Sequence, residues 1–261
     1  MRYVRLLWAF FRVSSMREIQ YRTSFIIQAF QSLIGLGTGL AGLGVVFSHT
    51  SNLGGWKPSQ LLAVLGVYFL VGGVINLVIR PSMQRFMEDV RLGTLDYVLT
   101  KPRDSQFLVS VREVQIWKVI DVLMGVVVLV IAIAGLAHAV GIWQALGFGA
   151  ALITGAVIVY SFFMVLATLC FWVVRADNIL VIFLSVYDAG RWPVTIYPGA
   201  LRWTLTFLVP VAFAVTVPAE ALTGRLTAAT LIEAAGLAVV LLLGSRWFWN
   251  FGLTRYTGAS A

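Results

Sequence analysis

The chain has 261 residues, of which 60% are hydrophobic and only 11% are charged, and its mean hydropathy is +0.91. A soluble domain is about half apolar and about a quarter charged, so this composition excludes an ordinary soluble protein. A formal net charge of +8 would favour nucleic-acid binding in a soluble chain, but here we expect no nucleic-acid partner. Because a membrane-spanning helix needs roughly 20 mostly apolar residues, the length allows about six spans and no soluble catalytic domain beside them.

The first 22 residues predict a helix that lies in the membrane interface. Arg2, Arg5 and Arg12 share one face of a 3.6-residue helix, and apolar residues lie largely opposite. The interrupted apolar segment and the missing cleavage pattern argue against a signal peptide. An ordinary basic flank before the first span is the alternative. We assign 1–22 to a cytoplasmic interfacial amphipathic helix and 23–261 to a single transmembrane domain.

Six apolar segments follow in chain order. They cover residues 23–47, 60–79, 117–137, 144–173, 174–192 and 226–245. We expect the second to end at Arg80 and Pro81, because proline interrupts a helix. The apolar part of the fifth, 179–187, is too short to cross alone. The sequence therefore predicts an all-α integral membrane protein with six transmembrane helices.

Residues 190–222 contain four prolines, each of which removes a backbone donor. Non-helical backbone at membrane depth is tolerated only where it is buried in protein or lines a cavity. We therefore interpret this segment as short re-entrant helices that dip in from the outer face between spans five and six. The alternative makes 199–217 a full crossing and 179–190 an interfacial helix.

The distribution of basic residues predicts the orientation of the chain. With the N-terminus inside and six crossings, four of the 19 Lys and Arg residues fall outside, which leaves 15 inside. Since cytoplasmic loops carry an excess of Lys and Arg, both termini and the segment 80–116 are expected in the cytoplasm. The four that fall outside are Lys57, Arg191, Arg202 and Arg225.

A charged block interrupts the apolar pattern after the second segment. Residues 80–121 hold seven of the 19 Lys and Arg and six of the 11 Asp and Glu. A lipid-seeking segment would be mostly basic, so mixed charge with interleaved apolar residues favours docking on another protein. "RFMEDVRLG" predicts a short helix capped by Gly93, and Thr94 is a good N-cap for a second helix, "LDYVL". A solvated connecting loop is the simpler alternative, but it would need far fewer residues.

No pattern in the sequence supports catalysis, a metal site or nucleotide binding. "GTGLAG", residues 37–42, matches a dinucleotide-binding pattern, but it lies inside an apolar span and follows no strand. No Gly-Lys-Ser/Thr motif occurs, so we expect no ATP site in this chain. Cys170 is the single cysteine, and His49 and His138 are isolated in different loops, which gives no metal-ligand cluster.

Four polar residues fall inside predicted spans. An ionisable side chain at membrane depth is costly and is by default a functional candidate. Hydrogen bonding between helices is the alternative explanation; we favour it for the three amides, and both explanations stay open for the carboxylate. The four are Glu233, Asn76, Gln28 and Gln31.

Two stretches resemble one family of membrane proteins. "MEDVRLGTLDYVLTKPRDSQFLVS" is similar to the element after the second span of ABC-2-type ABC transporter permeases, and is closest to an uncharacterised bacterial branch. "GRWPVTIYPGALRWTLTFLVPVAFAVTVPAEAL" resembles the outer segment of the same family. The resemblance implies an exporter-like architecture of the type V class. In that architecture two permeases pair, and a cytoplasmic coupling helix inserts into a separate subunit that binds ATP and Mg.

The resemblance also assigns roles to residues. It places coupling to the ATP-binding subunit at Glu88, Asp89, Arg91, Gly93, Thr94, Leu95 and Asp96, and an outer gate at Pro193, Tyr197, Pro198, Trp203 and Pro210. It favours efflux from the bacterial cytoplasmic membrane and a heteromeric over a homomeric permease pair. The charged run 101–104 departs from the well-studied exporters, so no substrate is carried over. A membrane-embedded enzyme acting on lipid-linked substrates and a non-ATP-driven channel or scaffold are the alternatives.

Overall fold

The computed structural model describes residues 22–136, 140–173 and 177–256. This part of the chain is almost entirely helical, and an isolated bridge between Leu53 and Trp56 is its only β-type pairing. The interfacial helix predicted for 1–22 lies, apart from Arg22, outside the described residues. The α-helices are α1 (Arg22–His49), α2 (Pro58–Val74), α3 (Arg80–Leu92), α4 (Asp96–Leu99), α5 (Ser105–Ser110), α6 (Val119–Ala134), α7 (Ile142–Thr168), α8 (Asp177–Tyr187), α9 (Gly199–Trp203), α10 (Val217–Leu222) and α11 (Ala228–Leu253).

Five helical segments in this part of the chain are long and apolar enough to cross a membrane. They lie where the apolar pattern predicts the first, second, third, fourth and last spans. A sixth candidate is the pair Gly199–Leu208 and Ala212–Leu222, which is bent by 79°. The five segments are Ile26–His49, Pro58–Leu92, Ile116–Ala134, Ile142–Phe171 and Ala228–Leu253.

The second span does not end at Pro81, and the predicted stop is wrong. A π-helical turn, Ile75–Ile79, joins α2 directly to α3, and Pro81 occupies the first turn of α3. Pro81 has no backbone N–H, so in a regular α-helix the carbonyl of Leu77, four residues before it, would have no hydrogen-bond partner. Here the backbone N–H of Gln115 donates to the carbonyl of Leu77 at 2.8 Å. A contact from outside the helix therefore allows one rod to run from Pro58 to Leu92.

Glycines set the distance between α2 and α6, which pack along most of their length. A Cβ atom at Gly73 would lie 2.7 Å from the backbone nitrogen of Val122, and one at Gly66 would lie 2.9 Å from that of Leu129. Small residues allow helix backbones to approach closely in membrane proteins. Helices α2 and α6 consequently pack with their backbones in close contact, which gives the second span a rigid support.

The bent pair enters and leaves the bundle at the same end. Before it, Thr195 accepts a hydrogen bond from the indole of Trp56 at 3.0 Å; after it, Arg225 donates to Gln60 at 2.8 Å. Both contacts involve the connection between α1 and α2 or the start of α2. The two ends of the pair therefore lie at one end of the bundle, which fits the predicted re-entrant helices better than a crossing by 199–217.

The re-entrant pair reaches roughly the middle of the bundle. A Cβ atom at Gly155 would lie 2.6 Å from the carbonyl oxygen of Phe213. Gly155 follows the start of α7 by 13 residues, which is about 20 Å at 1.5 Å per residue. The segment predicted as the fifth span, 174–192, does not form a long helix. Helix α8 has only 11 residues, and two 3-10 turns and short extended stretches carry the chain from its end to the end of the bundle at which α2 begins.

Candidate functional site

The charged block folds into a compact platform at the end of the bundle where α11 finishes. Helix α3 ends at Gly93, whose φ of 69° is the left-handed conformation expected of a glycine cap. The cap prediction for Gly93 is therefore confirmed. Thr94 does not cap α4, because its hydroxyl donates to a carboxylate oxygen of Asp89 at 2.9 Å. The turn between α3 and α4 is thus closed back onto α3.

Asp89 is the centre of this platform. Its side chain is fully buried and pairs with Arg85 at 3.4 Å and with Arg112, which lies 23 residues further on. The backbone N–H of Thr94 also donates to the carbonyl of Asp89 at 2.8 Å. A buried carboxylate with these partners holds the turn and the following segment together, so its geometry is that of a structural residue.

The platform turns two large apolar side chains outward. Tyr97 is 74% exposed and Leu92 is 56% exposed, although both belong to a polar segment. Arg91, Thr100 and Lys101 are exposed beside them in the sequence. We call these five residues the coupling surface. Exposed aromatic and aliphatic groups flanked by cations are typical of protein–protein contacts.

The seven predicted coupling residues differ in how exposed their side chains are. Arg91 is exposed, whereas Leu95 is fully buried together with Asp89. Glu88 is half-exposed and pairs with Arg85 at 3.1 Å; Gly93, Thr94 and Asp96 are also partly exposed. Leu92 and Tyr97, the most exposed large apolar residues of this segment, were not among the seven. Their signal in the sequence is an apolar residue on each side of the Gly-Thr-Leu-Asp turn.

The platform is attached to the end of α11. Arg246 donates to Asp104 at 2.5 Å and to Gln106 at 3.0 Å, and the indole of Trp249 donates to Ser105 at 3.3 Å. Burial raises the pKa of Asp104, but hydrogen bonds from Arg246 and from the backbone N–H of Phe107 outweigh it, so the pKa lies below its usual value. Movement of the platform is therefore coupled mechanically to the last span.

A cavity of about 380 Å³ lies among α1, α2, α6 and α8. Two predicted intramembrane residues, Gln31 and Asn76, line it. Its end nearest the platform carries the charged groups Arg80, Lys118 and Asp121. Charged and amide groups inside a membrane bundle usually mark a ligand or ion pathway, so this cavity is the strongest candidate for a cargo site.

The other two predicted polar residues lie elsewhere. Gln28 is half-buried on α1 and does not line the cavity, and Glu233 is exposed on the outer surface of α11. Across residues 22–136, 140–173 and 177–256, no group of three or more His, Cys, Asp and Glu side chains could hold a metal ion.

Tyr68, Tyr187 and Asp188 line the end of the cavity away from the platform, and Arg191 is hydrogen-bonded to two of them. We call these four residues the floor cluster. The hydroxyl of Tyr68 donates to Asp188 at 2.5 Å, and Arg191 donates to that hydroxyl at 3.3 Å and to Asp188 at 3.4 Å. Tyr187 stacks on Tyr68 with ring centroids 5.1 Å apart and donates to the carbonyl of Tyr68 at 2.9 Å. The prediction missed this cluster. An Asp and an Arg three residues apart after a short apolar segment were its only local signal.

Three of the five predicted gate residues lie beside the floor cluster. Pro193 and Pro210 are buried, and the hydroxyl of Tyr197 donates to the carbonyl of Ala189 at 2.8 Å. Pro198 and Trp203 are exposed at the surface instead. Val211, which follows Pro210, packs against Gly190: a Cβ atom at Gly190 would lie 2.7 Å from the side chain of Val211. The bent pair is therefore in direct contact with the turn that carries Asp188 and Arg191.

The comparison with protein families gives a match along most of the chain. Residues 33–260 match the family described as "ABC-2 family transporter protein". No curated protein and no solved structure matches the chain. The family match covers both the charged platform and the outer segment on which the resemblance was based. The chain belongs to the ABC-2 transporter family and is a multi-pass membrane permease component of an ABC transporter, which implies an ABC ATP-binding subunit as its partner.

Proposed function

We propose that this permease is an exporter of the bacterial cytoplasmic membrane, driven by an ATP-binding subunit that docks on the coupling surface and changes access to the cavity. One observation carries the proposal. The rod Pro58–Leu92 bears Tyr68, Asn76 and Arg80 in the cavity wall and ends in the coupling surface at Leu92. A force applied to the platform therefore acts on the cavity through a single helix.

The mechanism follows from the way the rod is held. The contact between α2 and α6 makes the outer part of the rod rigid, whereas the π turn Ile75–Ile79 lies between this part and the platform. Such turns are frequent at functional sites, because their hydrogen bonds are easily rearranged. We propose that closure of the ATP-binding subunits tilts the platform, that the rod bends at this turn, and that the floor cluster then separates.

ATP can drive this change only if the ATP-bound motor binds the two permease conformations with different affinity. The coupling surface offers apolar contact area and cations, and the half-exposed Glu88 adds one acidic group at its edge. We place the platform and both termini in the cytoplasm, since the basic residues favour that orientation. The outer segment then closes the exit from the external side.

A second permease completes the transporter in this proposal. Helix α1 forms one wall of the cavity and exposes apolar side chains such as Ile26 and Phe30 along most of its length. An exposed apolar face in a membrane protein contacts lipid or another span. We propose that a second permease, in a heteromeric pair, covers α1, and that membrane lipid covers α11.

The experiment removes the two apolar groups of the coupling surface. The Leu92→Ala/Tyr97→Ala variant, co-expressed with the ATP-binding subunit that copurifies with the wild type, is reconstituted in liposomes. We expect at least about tenfold less vanadate-sensitive ATP hydrolysis and less copurified subunit, because anchors of this kind contribute about 2 kcal/mol or more each. Charge reversal at Glu88 should weaken docking less.

Trp143→Ala supplies the matched control, because Trp143 is 83% exposed at the start of α7, far from the platform. It should copurify with the subunit and hydrolyse ATP as the wild type does. Normal coupling in the double variant, or cross-links that place Tyr97 on the external surface, would rule out the proposal.

A further inference from the structure

One cation of the cavity has no acidic partner. Arg80 lies in the wall near the platform, and its side chain donates to the amide oxygen of Asn76 at 3.3 Å but forms no ion pair with any described residue. The neighbouring cation Lys118 pairs with Asp121 at 3.4 Å. The other arginines around the site, Arg112 and Arg191, each pair with a carboxylate. Arg80 is therefore different from its neighbours.

The balance of charge in the cavity favours an anion. Lys118 and Asp121 compensate each other, and Asp188 is compensated by Arg191 behind it. The guanidinium of Arg80 leaves one positive charge in a half-buried position within the membrane bundle. An unpaired charge in such a place is costly, and a guanidinium recognises a phosphate or carboxylate through parallel hydrogen bonds.

The position of Arg80 along the helix indicates which anion is available to it. It follows Pro58, the first residue of α2, by 22 residues, which is about 33 Å along a helix at 1.5 Å per residue. The hydrocarbon core of a bilayer is about 30 Å thick, so with Pro58 at one boundary Arg80 would lie near the level of the lipid phosphates on the platform side. The abundant oxyanion at that level is phosphate.

The rest of the cavity fits a small group attached to such an anion. Its volume of about 380 Å³ lies in the lower part of the range for small-molecule sites, about 300–1,000 Å³. Gln31 and Ser32 offer polar groups on the α1 wall, and Tyr68 and Phe69 offer rings toward the deep end. A phosphate at Arg80 would leave the polar wall and the rings for the remainder of the molecule.

We propose that the cavity binds a phosphate-bearing molecule, with the phosphate at Arg80 and Lys118 as a second, weaker donor. The inference rests on the proposed function, because it treats the cavity as the cargo site. The phosphate can belong to a lipid headgroup or to a free phosphate ester; the chemistry at Arg80 is the same for both.

Binding is tested on the purified permease in dodecyl maltoside micelles, without any ATP-binding subunit. The probes are short-chain dihexanoylphosphatidylglycerol and, as the comparison without a phosphate, dihexanoylglycerol. Affinity is measured by native mass spectrometry and by the shift in thermal unfolding. We expect the anionic probe to bind at least about tenfold more tightly, and Arg80→Gln to lose that preference, as expected for one charge-assisted contact.

Three further variants make the result specific. Arg80→Lys should keep most of the preference, because it keeps the charge. Ser32→Asp, which adds a carboxylate to the opposite wall, should lose the preference while leaving Arg80 and its packing in place. Arg255→Gln is the matched control, since Arg255 is an exposed arginine beyond the end of α11, and it should bind the anionic probe as the wild type does.

Competition with inorganic phosphate separates the two sources. Displacement of the anionic probe by millimolar phosphate identifies a site that accepts free phosphate esters, and no displacement identifies a site that requires a lipid. Equal affinity for the two probes in the wild type, or a preference that survives in both Arg80→Gln and Ser32→Asp, would overturn the inference. Since no ATP-binding subunit is present, that result would leave the docking experiment on Leu92 and Tyr97 unaffected.

Discussion

The two ends of this bundle are built from different interactions. At the platform end, carboxylates are paired with arginines from distant parts of the chain, as in Asp89 with Arg112 and Asp104 with Arg246. At the opposite end, Arg225 binds the carbonyl of Gly55 and the amide of Gln60, and its guanidinium lies over Trp56. One end is fastened by ion pairs, and the other by hydrogen bonds and ring contacts.

The backbone shows the same difference. The platform is entered through a regular helix, α3, and closed by a glycine cap. The outer segment has two 3-10 turns before α9 and two π turns, Thr204–Leu208 and Ala212–Thr216, on either side of Pro210. Short turns of these kinds have poorer hydrogen bonds than α-helix. The comparison indicates a stiff platform end and a more deformable opposite end.

The largest effect is expected for a variant of the stiff platform end. Asp89→Asn removes both ion pairs of a fully buried carboxylate and leaves Arg112 without its acidic partner, whereas Arg85 keeps its ion pair with Glu88. We expect a loss of about 3 kcal/mol in the free energy of unfolding, at the lower end of the range for breaking a buried pair, because both arginines are partly exposed. Thermal unfolding in detergent measures it.

Glu88→Gln is the control for Asp89→Asn, since Glu88 is the neighbouring residue, pairs with Arg85 alone and is half-exposed. We expect a change of about 0–1 kcal/mol. Equal unfolding temperatures for the two variants would show that the burial of Asp89 does not matter for the platform.

An intermediate effect is expected at the floor cluster. Tyr68→Phe removes the hydroxyl that joins α2 to Asp188 and Arg191. A hydrogen bond to a charged group contributes about 1.5–3 kcal/mol, and the partial exposure of Asp188 favours the lower value. The contact between α2 and the floor cluster should therefore loosen. To measure this, Ser185, which lines the cavity, is replaced by cysteine in a Cys170→Ser background; this cysteine should react several-fold faster with an impermeant thiol reagent added outside when Tyr68→Phe is also present.

Tyr160→Phe makes the same chemical change at the platform end, where the hydroxyl of Tyr160 contacts that of Ser110 at 2.8 Å. It should leave the reaction at Ser185→Cys unchanged. Faster labelling in both variants would mean that general loosening of the bundle, and not the floor cluster, controls access.

The smallest effect is expected at Asp104, and it depends on pH. Because the pKa of Asp104 is lowered in the folded protein, its ion pair with Arg246 stabilises the fold above the pKa of the unfolded chain, about 4. The stabilisation is lost as the pH falls through the folded-state pKa. Solvent screens this exposed pair, so its contribution is about 0.5–1 kcal/mol.

The measurement compares the unfolding temperatures of the wild type and Asp104→Asn. Asparagine keeps the cap on α5, which Asp104 provides through the backbone N–H of Phe107 at 2.9 Å. The wild type should be slightly more stable at pH 7, and the difference should shrink as the pH is lowered below about 4. A difference that stays constant as the pH falls would assign the effect to packing.

The sequence predicts the features that depend on neighbouring residues. The length of an apolar run determines whether it can span a bilayer, so five spans are found where they were expected. Gly93 is recognisable as a cap because the left-handed conformation favours glycine. The prolines of 190–222 indicate re-entrant helices, because a straight span would not tolerate them.

Features that depend on distant contacts could not be predicted. The helix continues through Pro81 because Gln115, 34 residues later, supplies the missing donor. Asp89 is buried because Arg112 reaches it, and no local pattern distinguishes it from the half-exposed Glu88. The floor cluster joins Tyr68 to Asp188 across 120 residues. Burial and pairing of charges are therefore properties of the folded bundle.

The π turn in the second span fixes the angular register between the cavity wall and the platform. In a π turn the backbone N–H bonds to the carbonyl five residues earlier and not four, so the turn contains one additional residue. Each residue rotates a helix by about 100°. Deleting Val78 would shorten the rod by about 1.5 Å but would turn Leu92 to a different side relative to Asn76. A transporter altered in this way could keep its fold, its cavity and its docking residues and still present them to its motor in the wrong direction.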